Sequence, residues 1–317
     1  MNIAFVFPGQ GSQSVGMLAG LAADGPLVRS TFEEASQVLG YDLWELIQQG
    51  PEERLGATEY TQPAMLAAGI ATWRLWRQQG GPEPAKVAGH SLGEFTALVC
   101  AQALELPVAL DLVRFRGRAM QEAVPLGAGA MAALLGLEDA EAEAACREAA
   151  QGEIVEPVNF NSPGQVVIAG QAQAVQRAVE AAKKRGAKRA TLLSVSVPSH
   201  SSLMAPAAQR FQERLAAVRI EPPRIDYVSA VDASPHRDPE DIRKLLGRQL
   251  SSPVRWTDTV RALTAGGTTH VIECGPGKVL TALNRRIEKR PGLDYMALED
   301  PATLAAALTA VQGAVHA

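Results

Sequence analysis

Cysteine is scarce in this chain: three in 317 residues, at Cys100, Cys146 and Cys274. Their spacing fits neither a metal-ligand set nor a disulfide framework, so a reducing compartment is expected and a bound metal is not. Aromatic residues make up 5%, and no basic block is interleaved with them, which removes the pattern of a nucleic-acid binder. The formal net charge is only −4. No uninterrupted apolar run reaches the ~18 residues of a membrane span. The opening Met1-Asn2-Ile3-Ala4-Phe5 has no positive charge ahead of an apolar stretch, so no secretory leader is expected. Internal repeats and low-complexity tracts are also missing. These absences lead to the expectation of a soluble cytoplasmic protein with neither nucleic acid nor membrane among its partners. What remains is ordinary for a globular enzyme of one large domain or two: 47% apolar and 20% charged residues.

Within that ordinary composition one stretch stands out, Lys86-Val87-Ala88-Gly89-His90-Ser91-Leu92-Gly93-Glu94. It contains Gly-x-Ser-x-Gly, the pattern of a nucleophile elbow. The chemistry needs that spacing. The serine sits on a sharp turn between strand and helix, and Gly89 and Gly93 keep side chains out where the two crowd together. The amide of Leu92, at a helix N-terminus, is then placed to hold an oxyanion. Small apolar residues precede the motif, and a helix without breakers is expected over 94–103.

Taken in order, the chain begins with a strand over 3–7 and the loop Phe7-Pro8-Gly9-Gln10-Gly11-Ser12-Gln13, where Gln10 can present an amide to a site. Helices are expected over 27–39 and 43–48. Thr61-Gln62-Pro63 reads as a helix start with proline in the first turn. That helix carries Trp73 and Trp76 at core spacing as far as Gly80-Gly81. Another helix, from about 107 to 123, carries Arg114, Arg116 and Arg118. From Pro125 the pattern turns compact: strand 130–137, helix 139–150, strand 155–160, the turn Asn161-Ser162-Pro163-Gly164, strand 165–170, helix 173–185 and strand 188–195. The order β-α-β-β-α-β is a ferredoxin-like unit. The expected fold is therefore α/β. A large discontinuous domain covers 1–126 and 196–317, and a small ferredoxin-like domain is inserted over 127–195. Helices are further expected over 205–218, 242–249 and 258–265, with strands over 227–230 and 270–274.

A serine nucleophile needs a base, and the chain has five histidines. His316 is beside the terminus, His236 sits in a polar loop, and His90 is placed by the elbow to point elsewhere. His200, in a loop of small residues before a helix, and His270, at a strand start, both remain candidates. For an orienting acid, Asp111 or Asp139 would serve His200, and Asp232 would serve His270. None has a distinctive context.

Several motifs nevertheless agree. Phe7-Pro8-Gly9-Gln10-Gly11-Ser12-Gln13, Gly89-His90-Ser91-Leu92-Gly93-Glu94, Arg114-Phe115-Arg116-Gly117, Pro198-Ser199-His200 and Gly275-Pro276-Gly277 occur in this order over essentially the whole chain. The sequence resembles the malonyl-CoA:acyl carrier protein transacylases of fatty acid synthesis, and also the acyltransferase domains of polyketide synthases. A chain spanning little beyond these motifs is expected to be the discrete enzyme. The resemblance implies a hydrolase-like α/β domain whose small domain forms the other wall of a cleft. It implies Ser91 as the nucleophile, His200 as its base, and the main-chain carbonyl of Gln249 in place of a triad carboxylate. It further implies Gln10 and Leu92 amides as an oxyanion hole, Arg116 as the clamp on the malonyl carboxylate, and Asn161 and Gln165 as contacts of the pantetheine arm. Malonyl-CoA and acyl carrier protein are the implied partners. No metal and no cofactor are expected, coenzyme A thioester being a substrate, and a monomer is expected. Phe95 and Ser201-Ser202 depart from the family pattern, which bears on pocket shape. Two other readings share the elbow: a hydrolase of small esters or thioesters, and a non-catalytic carrier-binding module.

Overall fold

The computed structural model describes residues 2–195 and 197–313. His316 and residue 196, where the return segment of the large domain is expected to start, lie outside these. Ten strands form two sheets among the described residues. In chain order the strands are β1 (Ile3–Phe7), β2 (Lys86–Gly89), β3 (Gly129–Leu135), β4 (Val155–Ser162), β5 (Gln165–Gln171), β6 (Arg189–Leu192), β7 (Asp226–Val228), β8 (Pro235–His236), β9 (His270–Glu273) and β10 (Asp294–Ala297). The larger sheet runs β10-β9-β1-β2-β7-β8. All its pairings are parallel except β7 with β8.

β1 lies inside this sheet, and all five of its residues are buried. Alternate side chains serve opposite faces. Ile3, Phe5 and Phe7 join the core that holds Phe32, Met65 and Trp76. Ala4 and Val6 join the one that holds Trp256, Val260 and Leu283. A parallel strand covered on both faces reads as an unbroken apolar run, which is what Ile-Ala-Phe-Val-Phe is. Trp76 is fully buried, and Trp73 meets Phe5 edge to face at 5.4 Å between ring centres.

The smaller sheet is antiparallel throughout, in the order β4-β5-β3-β6. The helices Asp139–Ala150 and Ala172–Lys184 cover one face through Ala142, Cys146, Val175 and Val179. Its edge strand β4 does not meet solvent as a bare ladder. Phe160 N donates to Val254 O at 3.0 Å, and Val254 N donates to Val158 O at 2.8 Å. These bonds tie the small sheet to the loop that follows the helix Pro239–Gln249. No helix among the described residues is long and apolar enough to cross a membrane.

Some boundaries differ from those the sequence suggests, each for a tertiary reason. The long helix spans Thr58–Gln78, starting about one turn before the expected Thr61, so that Pro63 lies in its interior rather than in its first turn. The added first turn is held from outside: Glu59 N donates to Gln121 Oε1 at 2.7 Å, and Thr61 Oγ1 to Leu55 O at 2.6 Å. The helix after the elbow is shorter than expected, Gly93–Cys100. β4 extends through Asn161 and Ser162, so only Pro163-Gly164 form the hairpin turn. β3 ends at Leu135, before Gly136 with its φ of +74°.

The crossing of β1, β2 and the elbow helix generates a stability prediction. A Cβ at Gly89 would stand 1.8 Å from the Gly93 carbonyl carbon and 2.1 Å from the Glu94 nitrogen, all of it backbone. Gly89→Ala should cost more than about 2 kcal/mol, because backbone cannot move aside as a side chain can. Gly56→Ala, where no atom lies within 4 Å, should stay within about 1 kcal/mol of wild type. Urea unfolding of the two variants checks the contrast. Equal midpoints would mean that the crossing is slack.

Candidate active site

The cleft lies at the carboxyl ends of β1 and β2, where parallel α/β sheets place their sites. β2 ends at Gly89, and the helix starts at Gly93. Ser91 occupies the turn between them with a φ of +52°, a conformation that costs energy in any residue with a Cβ. The turn is held by Gly93 N donating to His90 O at 2.9 Å and Glu94 N to Ser91 O at 3.1 Å. A Cβ at Gly93 would stand 2.0 Å from the Phe7 carbonyl oxygen, so the helix starts directly against the end of β1.

His200 reaches this serine from the far side of the cleft. Its Nε2 lies 2.7 Å from Ser91 Oγ. Its Nδ1 lies 2.9 Å from the main-chain oxygen of Gln249. A carbonyl only accepts, so Nδ1 carries the proton and Nε2 offers its lone pair to the serine hydroxyl. His200 itself has a φ of +67°, and its N–H donates to Leu250 O at 3.0 Å. Burial, then the charge of Arg116, pushes the imidazole pKa down to about 3. Among the described residues no aspartate bonds this histidine. Asp111 pairs with Arg114 and Arg214, Asp232 pairs with His236, and Asp139 opens a helix of the small sheet. His270 begins β9, at the amino end of the parallel strands, opposite the carboxyl ends that carry the cleft.

Arg116 is the third group. It projects from the helix Leu106–Glu122 and is 1% exposed, whereas Arg114 is half-buried and Arg118 exposed. Gly117 brings that helix against the first turn of the long helix: a Cβ there would meet Thr58 O at 2.6 Å. The guanidinium donates to Gln62 Oε1 (2.9 Å), Gln249 Oε1 (2.9 Å) and Ser91 Oγ (3.1 Å). It also stands over the Phe95 ring at 5.8 Å. Burial lowers its pKa to about 10, against the pull of Glu94, so it stays charged at neutral pH.

The remaining positions divide. Gln10 and Leu92 line the cleft beside Ser91. Among the described residues, neither amide N–H donates to another group of the chain. The Gln10 side chain donates to Thr58 Oγ1 at 3.3 Å. Asn161 is buried, and its Oδ1 lies 2.8 Å from His90 Nε2, so it supports a lining residue from behind. Gln165 is not brought to the cleft: its Oε1 accepts from Arg286 Nη1 at 3.1 Å. It ends on that side because it starts β5, immediately after the hairpin turn. Ser201 is fully buried and donates to Pro198 O, whereas Ser202 bonds the Glu156 carboxylate through N (2.7 Å) and Oγ (2.9 Å).

Sequence reasoning passed over Gln62 and Glu94, both buried against these groups. The available signal was a polar residue at a position whose helical neighbours are apolar. The cleft has a volume of about 730 Å³, and its wall also includes Met131, Asn159 and Val195 from the small-sheet side. A hydroxyl shared between a neutral imidazole and a guanidinium, beside unengaged amides, suits the transfer of an anionic acyl group.

Known proteins match this chain over nearly its whole length. The family model for the acyl transferase domain matches residues 4–301. The malonyl CoA-acyl carrier protein transacylase of Salmonella typhimurium is 56% identical over 308 residues, 97% of this chain and 99% of that one. A crystal structure of an acyl carrier protein S-malonyltransferase from Vibrio cholerae superposes with a TM-score of 0.93 at 55% identity, covering 97% of this chain and 100% of that one. A malonyl-transacylase solved in complex with a type II PKS acyl-carrier protein gives 0.95 at 53% identity, covering 98% and 100%.

The His200 environment predicts how the ring titrates. Its folded pKa lies below that of an unfolded histidine, so between about 6.5 and about 3 the unfolded chain binds the extra proton. This group therefore withdraws stability as pH falls through that window and costs nothing above it. Its imidazole C–H resonance should not shift between pH 8 and pH 5, and Arg116→Met should move its titration upward. An ordinary titration near 6.5 would show that the ring is wet.

Proposed function

This chain belongs to the acyl transferase domain family, and from that premise we propose that it is a malonyl-CoA:acyl carrier protein transacylase working by ping-pong through an ester on Ser91. Its relatives' names supply the two partners. The observation that carries the reading is the convergence of His200 and Arg116 on one serine oxygen, at 2.7 and 3.1 Å. A hydrolase of neutral esters has no use for a buried cation at its nucleophile, and a mere carrier-binding module has no use for the base.

In the first half-reaction His200 Nε2 takes the Ser91 proton as Oγ attacks the malonyl thioester carbon. The resulting oxyanion rests on the amides of Gln10 and Leu92. Such donors are each worth about 3 kcal/mol of barrier. The imidazolium is held through Nδ1–H by the Gln249 carbonyl and returns its proton to the departing coenzyme A thiolate. The phosphopantetheine thiol of the carrier then attacks the ester, and the same proton transfers run in reverse order. Thioester is exchanged for thioester, so no further cofactor is needed.

Arg116 reads the acyl group. A carboxylate entering this buried site needs a cation, or its desolvation opposes binding. The Nη2 proton now on Ser91 Oγ can turn to that carboxylate, and the planar fork suits two parallel bonds. A carboxylate there also offsets the charge that lowers the His200 pKa. Acetyl brings neither benefit.

Intact-mass analysis after mixing with malonyl-CoA tests the ester. Wild type should gain one malonyl group, and Ser91→Ala none, with its fold unchanged. A malonyl adduct on the folded variant would move the nucleophile elsewhere.

The acyl preference is tested at Arg116. Arg116→Ala should lower malonyl loading relative to acetyl by roughly a hundredfold, the cost of losing a charge-assisted bidentate pair. Arg118→Ala, at an exposed position on the same helix, should leave the ratio near wild type. An unchanged ratio in Arg116→Ala would mean that the carboxylate is read by another group.

A further inference from the structure

Glu94 is a fully buried carboxylate that the mechanism above does not use. It stands at the start of the elbow helix, three residues after the nucleophile. One of its oxygens accepts from Ser229 Oγ at 3.0 Å and from the Ala230 N–H. The other accepts from Gln249 Nε2. That same Nε2 donates to the Ser91 main-chain oxygen at 3.0 Å. Gln249 is 1% exposed, and its Oε1 accepts from Arg116 at 2.9 Å. Its main-chain oxygen holds His200.

The orientation of the Gln249 amide follows from its neighbours. An ionised carboxylate and a main-chain carbonyl only accept, so the amide NH2 must face Glu94 and Ser91. A guanidinium only donates, so the amide oxygen must face Arg116. Reversing the amide would set donor against donor on one side and acceptor against acceptor on the other. Glu94 is the group that fixes this choice with charge.

We propose that Glu94 is a positioning residue that acts through Gln249, fixing the side-chain amide so that its oxygen aims Arg116 at the acyl carboxylate. This rests on the reading of Arg116 as the malonyl clamp. Glu94 touches no substrate; it decides the acyl preference from behind. Burial raises its pKa to about 6, and the hydrogen bonds it accepts hold it down, so it is ionised at neutral pH and can play this part.

Glu94→Gln makes the idea testable, because it leaves one acceptor atom where two are needed. If that oxygen keeps Ser229 and Ala230, the new NH2 faces Gln249. Gln249 must then turn its oxygen toward residue 94 and its NH2 toward Arg116. Ester formation from malonyl-CoA and from acetyl-CoA is read separately by intact mass, with thermal unfolding as the check on fold. The malonyl rate should fall roughly tenfold or more relative to the acetyl rate, the loss of one hydrogen bond to a charged group. A purely structural role would lower both rates together, and that result, or an unchanged ratio in the folded variant, overturns the proposal.

Gln249→Met supplies the second arm. It keeps the main-chain carbonyl for His200 and removes only the amide between Glu94 and Arg116. It should reproduce the shift in ratio, and adding Glu94→Gln to it should shift the ratio no further. Independent, additive losses would show that Glu94 does not act through Gln249. If Glu94→Gln alone does not fold, an unchanged ratio in folded Gln249→Met overturns the proposal, and a shifted one supports it. Wild type that takes no malonyl from malonyl-CoA would instead remove the functional reading itself. Wild type that loads malonyl, beside variants of unchanged ratio, removes only the role of Glu94.

Discussion

The site depends on a backbone crossing with no room for side chains. The end of β1, the end of β2 and the first residue of the elbow helix meet at Phe7, Gly89 and Gly93. A Cβ at either glycine would sit about 2 Å from a neighbouring main-chain atom. That closeness turns the chain sharply enough to leave Ser91 in the left-handed region, where it is exposed to the cleft rather than pointed into the core. The rest of the large sheet anchors the crossing, because β1 is buried on both faces and paired on both edges. Strain at one residue is tolerated when the surroundings determine its position this strongly.

The second constraint is electrical. A guanidinium taken out of water is costly unless its donors are met. Here a serine hydroxyl and two glutamine oxygens meet the two Nη atoms, an aromatic face lies beside them, and the buried Nε has no partner among the described residues. The compensating negative charge, Glu94, stands one amide away. Neutral contacts with a displaced counter-charge leave the cation able to exchange one partner for a carboxylate. A direct ion pair would have quenched it. The same economy appears at His200, where a carbonyl takes the place of an acid. The ring is oriented without a second buried charge.

The two sheets hold the cleft between them by bonds that tie the histidine loop to both. β4 pairs with the segment around Val254, which follows Gln249 and Leu250. Glu156 of the same strand holds Ser202, two residues after His200. Asn161, also on β4, bonds His90 beside Ser91. His200 and Ser91 come from distant parts of the chain, and one strand of the smaller sheet braces the segments that carry both. The position of that sheet thus helps to set the geometry around Ser91 as well as forming a wall.

The sequence by itself determined what is local. The apolar run Ile-Ala-Phe-Val-Phe marked a strand covered on both faces, Gly-x-Ser-x-Gly marked the sharp turn, and the β-α-β-β-α-β order marked the smaller antiparallel sheet, because each is written in neighbouring residues. It left His200 and His270 both open on their own patterns, because distance between segments is not encoded in spacing. Only the parallel sheet decided between them, by putting the start of β9 at one end and the turn after β2 at the other. It also decided that Pro63 sits inside a helix, since the turn before it is held by Gln121 from another helix. Gln165 stands at the start of β5, where the expected strand also begins, and only the packed structure shows that its side chain meets Arg286 and not the cleft. Glu94 and Gln62 were invisible for a related reason: a polar side chain in an apolar helix declares that it has a partner, and only the packed structure names it.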